Sequence, residues 1–291
     1  MNRDLLNSIK TLFPNFSKGQ KYIARYIIDH YDKAAFMTAS KLGNIVGVSE
    51  STVVRFASEL GYEGYPELQK ALQDMIRNKL TSVQRIEVST DILGDGDILD
   101  KVLNSDIDKI KKTLSDISRG DFDGAVDAIA GARKIYIFGV RSAASLASFI
   151  GFYFNLILDN VSLIHTASDS ELFEHILHIG PDDVAIGISF PRYSSRTVKA
   201  MKYCSDRGAT VISMTDSDQS PLYQYSKFNL LAKSDMVSFA DSLVAPLSLA
   251  NALIVAVGMK RRNEVYGTFA ELERIWDKYD VYEKAEDETN G

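Results

Sequence analysis

The sequence predicts an α/β protein in two parts: a small all-α helix-turn-helix domain, then a three-layer αβα domain around a parallel five-stranded sheet. Three observations predict this. Residues 1–78 carry helical periodicity and no convincing strand. The run TASKLGNIVGVSESTVVRFASELGY reads as helix, tight turn, cap and second helix. From Lys134 onward, short apolar runs alternate with helical segments, the pattern of a parallel sheet covered on both faces.

In chain order, Ser17 opens an amphipathic helix with Tyr22, Ile23, Tyr26, Ile27 and Tyr31 near one face. A short helix is expected over Asp32–Phe36. Thr38 caps a helix containing Leu42, Ile45 and Val46, and Gly47 ends it, because glycine tolerates the left-handed conformation favoured there. Ser49 is read as the cap of the helix Glu50–Leu60, which Gly61 ends, and Pro66–Lys79 as a further helix. Residues 79–104, rich in Ser, Thr, Asp and Gly, read as a linker. Helices over Ser105–Ile117 and Phe122–Ala130 lead into the second domain, 105–283. Its strands are KIYIFGV, SLIHT, DVAIGIS, TVISMTD and FNLLA, and the helices between them are Ser142–Leu158, Ser168–Ile179, Ser194–Arg207 and Ser220–Ser226. Helices Asp241–Met259 and Glu264–Tyr279 follow, and 284–291 reads as a disordered tail.

Length and composition suit two soluble domains, with 291 residues, 45% hydrophobic and 25% charged. The start, MNRDLLNSIK, is too polar for a signal peptide, and Ser242–Met259, interrupted by Pro246, Ser248, Asn251 and Gly258, reads as a buried helix. The one cysteine, Cys204, excludes an internal disulfide and fits a reducing cytoplasm. Residues 1–80 hold 11 Lys and Arg against 8 Asp and Glu, and the rest holds 22 against 31. The basic excess therefore sits at the end where a DNA-binding domain would use it.

Leu42, Val48, Val53 and Leu60 are expected to hold the two helices of the motif together. That leaves Ser49, Glu50, Ser51, Thr52, Arg55 and Ser58 as the candidate DNA contacts, with Lys41 and Lys70 as candidate phosphate contacts. Short hydroxyl side chains enter a major groove without clash, and the free amides of a helix N-terminus attract phosphate. Arg55 reaches either a base or phosphate, or pairs with Glu59. The run from FSKGQKYIARYIIDHYDKAAF through VSESTVVRF to LGYEGYPELQKAL resembles the N-terminal domain of the RpiR family of bacterial transcription regulators. The resemblance implies an all-helical DNA-binding domain that acts as a dimer on palindromic operators.

In the second domain, FGVRSAASLA and ISFPRYSSRT each join a strand end to a helix N-terminus through hydroxyl residues, an arrangement suited to an anion. These loops resemble those of SIS domains, the sugar-phosphate-binding modules that RpiR regulators carry. The candidate ligand residues are Gly139, Arg141, Ser142, Ser189, Arg192, Ser194, Ser195 and Thr197. Arg141 and Pro191 stand where the SIS pattern has glycine and serine, and Ala143 and Arg192 where it has serine and glycine. Hydroxyls are lost and two guanidinium groups gained, so Arg141 and Arg192 are expected to grip an anionic ligand; the alternative is pairing with neighbouring acids or a subunit interface. SPL at Ser220–Leu222 also looks like the family pattern.

The function expected is a DNA-binding regulator that senses a phosphosugar or sugar acid. Its partners would be double-stranded operator DNA, that ligand and further copies of itself as a homodimer or homotetramer, with no membrane, cofactor or metal. Two other readings remain. In one, the chain is a sugar-phosphate isomerase, with His165 and Glu171 near element ends as acid and base candidates. In the other it binds DNA constitutively and the α/β domain only dimerises. His165, His175 and His178 lack a ligand set for a metal. Cys204 lacks a nucleophile motif, and Asp216 and Asp218 read as turn formers.

Overall fold

The computed structural model describes residues 5–76, 81–94, 96–166, 168–234 and 240–283. The tail expected at 284–291 lies outside the described residues, as do positions 79, 80 and 95 of the segment read as a linker. The chain divides into two units, Met1–Ser105 with Asp235–Ser242, and Asp106–Ser234 with Leu243–Gly291.

The first unit is helical: α1 (Leu5–Leu12), α2 (Lys18–Asp29), α3 (Tyr31–Ala34), α4 (Ala39–Val46), α5 (Glu50–Glu59), α6 (Tyr65–Ile76) and α7 (Ser82–Leu93). Ile9, Ile23, Ile27, Leu42, Val53, Phe56, Leu68 and Leu72 form its core and are fully buried. Helices α2 and α4 each start on a side-chain cap. The Ser17 side chain accepts the Gln20 amide, while the Gln20 side chain accepts the Ser17 amide at 2.9 Å, which satisfies two otherwise orphan donors of α2. Thr38 Oγ1 accepts the Lys41 amide at 3.2 Å. Gly47 ends α4 at φ 73°, in the left-handed region. The carbonyls after α3 find partners on α6: Tyr65 Oη donates to Met37 O at 2.8 Å, and Gln73 Nε2 to Ala35 O at 2.9 Å.

Several local expectations change. Ser49 occupies the N-cap position of α5, but its hydroxyl caps no amide; it lies 2.9 Å from both Ser51 Oγ and Thr52 Oγ1. The segment 79–104 contains α7, whose start is closed by a capping box between Thr81 and Gln84. The helix expected from Ser105 begins earlier, as α8 (Ile98–Asp116), because Asp97 Oδ1 accepts the Leu99 amide at 2.9 Å. The helix expected over Ser220–Ser226 is only a 3₁₀ turn, Tyr223–Tyr225.

The second unit continues with α9 (Arg119–Gly131), β1 (Lys134–Gly139), α10 (Ala143–Ile157), β2 (Val161–Ile164), α11 (Asp169–Ile176), β3 (Asp183–Ile188), α12 (Ser195–Asp206), β4 (Thr210–Thr215), β5 (Phe228–Leu231), α13 (Val244–Lys260) and α14 (Arg262–Lys278). The five strands are all parallel, in the order β2-β1-β3-β4-β5. One face packs on α9, α10 and α13 through Ile135, Ile137, Ile150, Phe154, Ile186 and Leu253; the other packs on α11 and α12 through Tyr136, Phe138, Ala185 and Met201. No single helix among the described residues is long and apolar enough to cross a membrane, and α13 meets α14 at 99°.

Cys204 is fully buried on α12, and burial pushes its thiol up to about 12. At neutral pH it stays a protonated thiol. A chromogenic disulfide reagent is expected to label it only after denaturation; rapid labelling of the native protein would contradict its burial.

Candidate functional site

Two surfaces gather the candidate residues. In the first unit, Glu50, Ser51, Arg55 and Ser58 stand exposed along the outer face of α5, while Val53, Phe56 and Ala57 point into the core. Thr52 is half-buried, because the groove beside it is walled by α2. That groove is lined by Ser17, Gly19, Gln20, Val48, Ser49, Thr52 and Arg55, so the N-termini of α2 and α5 open onto one place. Sequence reading missed the α2 contribution; its signal is the capping box at Ser17 and Gln20. The Arg55 guanidinium is tethered to its own helix, Nε donating to Ser51 O at 3.2 Å. Among the described residues it makes no ion pair, with Glu59 or any other acid. Its remaining donors face outward beside the hydroxyls. Lys41 on α4 and Lys70 on α6 are exposed as well.

In the second unit the strand order reverses between β1 and β3. The chain leaves β1 through α10 toward β2 on one side, and leaves β3 through α12 toward β4 on the other. The two departing loops diverge at the carboxyl edge of adjacent strands, which opens the crevice where such sheets bind ligands. Both candidate loops lie there. Gly139 ends β1, and a Cβ on it would come 2.5 Å from Ala143 O, so only glycine lets α10 start so close to the strand. Arg141 follows in the left-handed region at φ 57°, and Ser142 begins α10 with helical dihedrals and no side-chain cap. Both are exposed.

The second loop is tightly bonded. Ser189 is buried and its hydroxyl accepts the Ser194 amide at 3.0 Å; Ser194 Oγ in turn accepts the Thr197 amide at 3.3 Å. Thr197 is buried, and its hydroxyl has no hydrogen-bond partner among the described residues. Arg192 and Ser195 are exposed. Among the described residues neither Arg141 nor Arg192 makes an ion pair with a neighbouring acid. Arg196, by contrast, is committed to α11, with Nε donating to Asp169 at 2.6 Å.

The structure adds Tyr193 and Asp216. Asp216 follows β4 at the same edge, is buried, and accepts the Tyr193 hydroxyl at 2.7 Å. Its sequence context offered only a turn. Ser220 of SPL is buried and accepts the Thr215 hydroxyl at 2.8 Å, a structural contact behind the loop. His165, His175 and His178 are exposed, with His165 Nε2 at 3.5 Å from Ser148 Oγ. Among the described residues no three His, Cys, Asp or Glu side chains come together.

The chain matches two family models, the helix-turn-helix domain of the rpiR family at residues 3–79 and the SIS domain at residues 128–256. It is 25% identical over 269 residues to an uncharacterised HTH-type transcriptional regulator of Caldanaerobacter subterraneus, covering 90% of this chain and 93% of that one. The sugar isomerase domain of an RpiR transcription factor from Sphaerobacter thermophilus superposes with a TM-score of 0.58 at 25% identity, over 61% of this chain and 98% of that domain. The Vibrio vulnificus NanR protein, complexed with ManNAc-6P, superposes with a TM-score of 0.58 at 22% identity, over 94% of this chain and 98% of that one, and shares the fold.

Proposed function

We infer that this chain, which belongs to the rpiR family of helix-turn-helix regulators and carries a SIS domain, reads an anionic sugar metabolite and sets the transcription of carbohydrate-metabolism genes by it. The observation that carries the ligand half of this reading is the crevice between β1 and β3. There the hydroxyls of buried Ser189 and half-buried Ser194 accept the Ser194 and Thr197 amides, and beside them stand two arginines that no acid among the described residues neutralises. A phosphate or carboxylate satisfies both: the guanidinium groups supply charge and paired donors, and the helix N-terminus supplies amides. The phosphosugar held by the NanR neighbour belongs to the same chemical class.

In this reading the ligand is sensed and not converted. The protein works in the cytoplasm on operator DNA, as a dimer or tetramer. Ligand and DNA then affect each other's affinity by the same factor, whichever direction that coupling takes. A thermal-shift screen of phosphosugars, sugar acids and their neutral parent sugars tests the reading, because a native-state ligand at 100 times its Kd stabilises by about 2.7 kcal/mol. A dose-dependent rise is expected with phosphorylated or acidic sugars. A flat response across the whole panel, or steady turnover of one compound, contradicts it.

A further inference from the structure

We propose that Val54 reads the C5-methyl group of a thymine in the operator. This rests on the DNA-binding half of the reading above and names the base chemistry that α5 selects. In the sequence nothing separates Val54 from its neighbour Val53, but the structure sends them to different surroundings. Val53 is fully buried with Phe56 and Ala57, whereas Val54 is 39% exposed. It lies on the outer face of α5, one turn after Glu50 and one turn before Ser58, with Ser51 and Arg55 on the same face. Glu50, Ser51, Val54 and Arg55 together line a shallow hollow there.

The fold of the domain does not call for valine at this place. A β-branched side chain loses rotamer freedom on a helix, and alanine is the better helix former at an exposed position. Nor do the neighbours lean on the side chain. Arg55 Nε donates to Ser51 O at 3.2 Å, Ser51 Oγ lies 2.9 Å from Ser49 Oγ, and Ser58 Oγ donates to Val54 O at 3.4 Å. Only the last of these bonds involves residue 54, and it uses the carbonyl. The two Val54 methyl groups are left as the apolar centre of an otherwise polar face. A helix seated in the major groove meets base edges made of donors and acceptors, with one apolar group among them, the thymine C5-methyl. Valine set against that methyl removes apolar surface from water on both partners. Set against the polar edge of another base, it displaces water and returns no hydrogen bond, which penalises that base. Val54 thus matches one base and rejects others, while Arg55 and the hydroxyls supply the polar contacts around it.

The test removes methyl groups from either side of the contact. Full-length wild type and Val54→Ala are titrated by fluorescence anisotropy against the duplex the wild type prefers. Both are then titrated against copies in which each thymine in turn is replaced by uracil, which lacks only the methyl. The wild type is expected to lose affinity at one thymine per recognition helix, by about fourfold, the worth of one buried methylene. Val54→Ala is expected to bind the unmodified duplex more weakly by at least that factor, to be indifferent to uracil at that thymine, and to melt no lower than the wild type. A preferred duplex bound with steep salt dependence, yet insensitive to uracil at every position, overturns the assignment and leaves the regulator reading standing. A uracil penalty that Val54→Ala retains in full does the same. A chain that prefers no duplex at all removes both.

Discussion

Gly43→Val is expected to abolish selective DNA binding while the second unit stays folded and keeps its ligand affinity. Gly43 is buried in α4, and a Cβ there would come 2.8 Å from Val48 O and 3.5 Å from Glu50 N. The obstruction is backbone, so no side-chain rotation relieves it. The same turn is closed by the Val48 amide donating to Gly43 O at 2.9 Å. A branched side chain must force α4 away from the start of α5, at a cost of about 1–3 kcal/mol or more. The recognition helix then loses its fixed angle to the rest of the domain, and affinity for a preferred duplex is expected to fall toward the non-specific level, on the order of 10³-fold. Fluorescence anisotropy on a preferred and a scrambled duplex measures this. Retained discrimination between them would contradict the role assigned to the turn.

Replacing both Arg141 and Arg192 by alanine is the second large change. Charge-assisted hydrogen bonds are each worth about 1.5–3 kcal/mol, so each single variant is expected to bind a phosphorylated sugar about 10–100-fold more weakly, and the double variant more weakly still. The fold should be indifferent, because both side chains are exposed and neither makes an ion pair among the described residues. Calorimetry with the phosphosugar and its neutral parent separates the contributions: the loss should be confined to the charged ligand. Equal affinities for wild type and double variant would remove the arginines from the site.

Much of this arrangement was legible in the amino-acid order, because it rests on local signals. Thr38 three residues before Lys41, Gly47 after an apolar stripe, and hydroxyls opening α5 specify the helix-turn-helix without reference to the rest of the chain. The five strands were legible as apolar runs between helical segments. What was not legible depends on conformation or on distant partners. Ser49 and Ser142 both look like caps, yet the Ser49 hydroxyl engages Ser51 and Thr52, and Ser142 adopts helical dihedrals that turn it away from the amides. Asp216 joins the site only because β4 lies next to β3, where Tyr193 can reach it across 23 residues. The capping box at Thr81 and Gln84 and the Asp97 cap of α8 were present in the sequence as signals, hidden in a segment whose polar composition reads as a linker.

The most direct test of the whole account is anisotropy of the full-length protein on duplex fragments adjoining its own gene, titrated across salt concentrations with and without saturating phosphosugar. The account predicts that one fragment is preferred, that affinity falls steeply as salt rises, and that a sugar phosphate which stabilises the protein also shifts that affinity. Absence of any preferred fragment, or a bound phosphosugar that leaves DNA affinity unchanged, would contradict it.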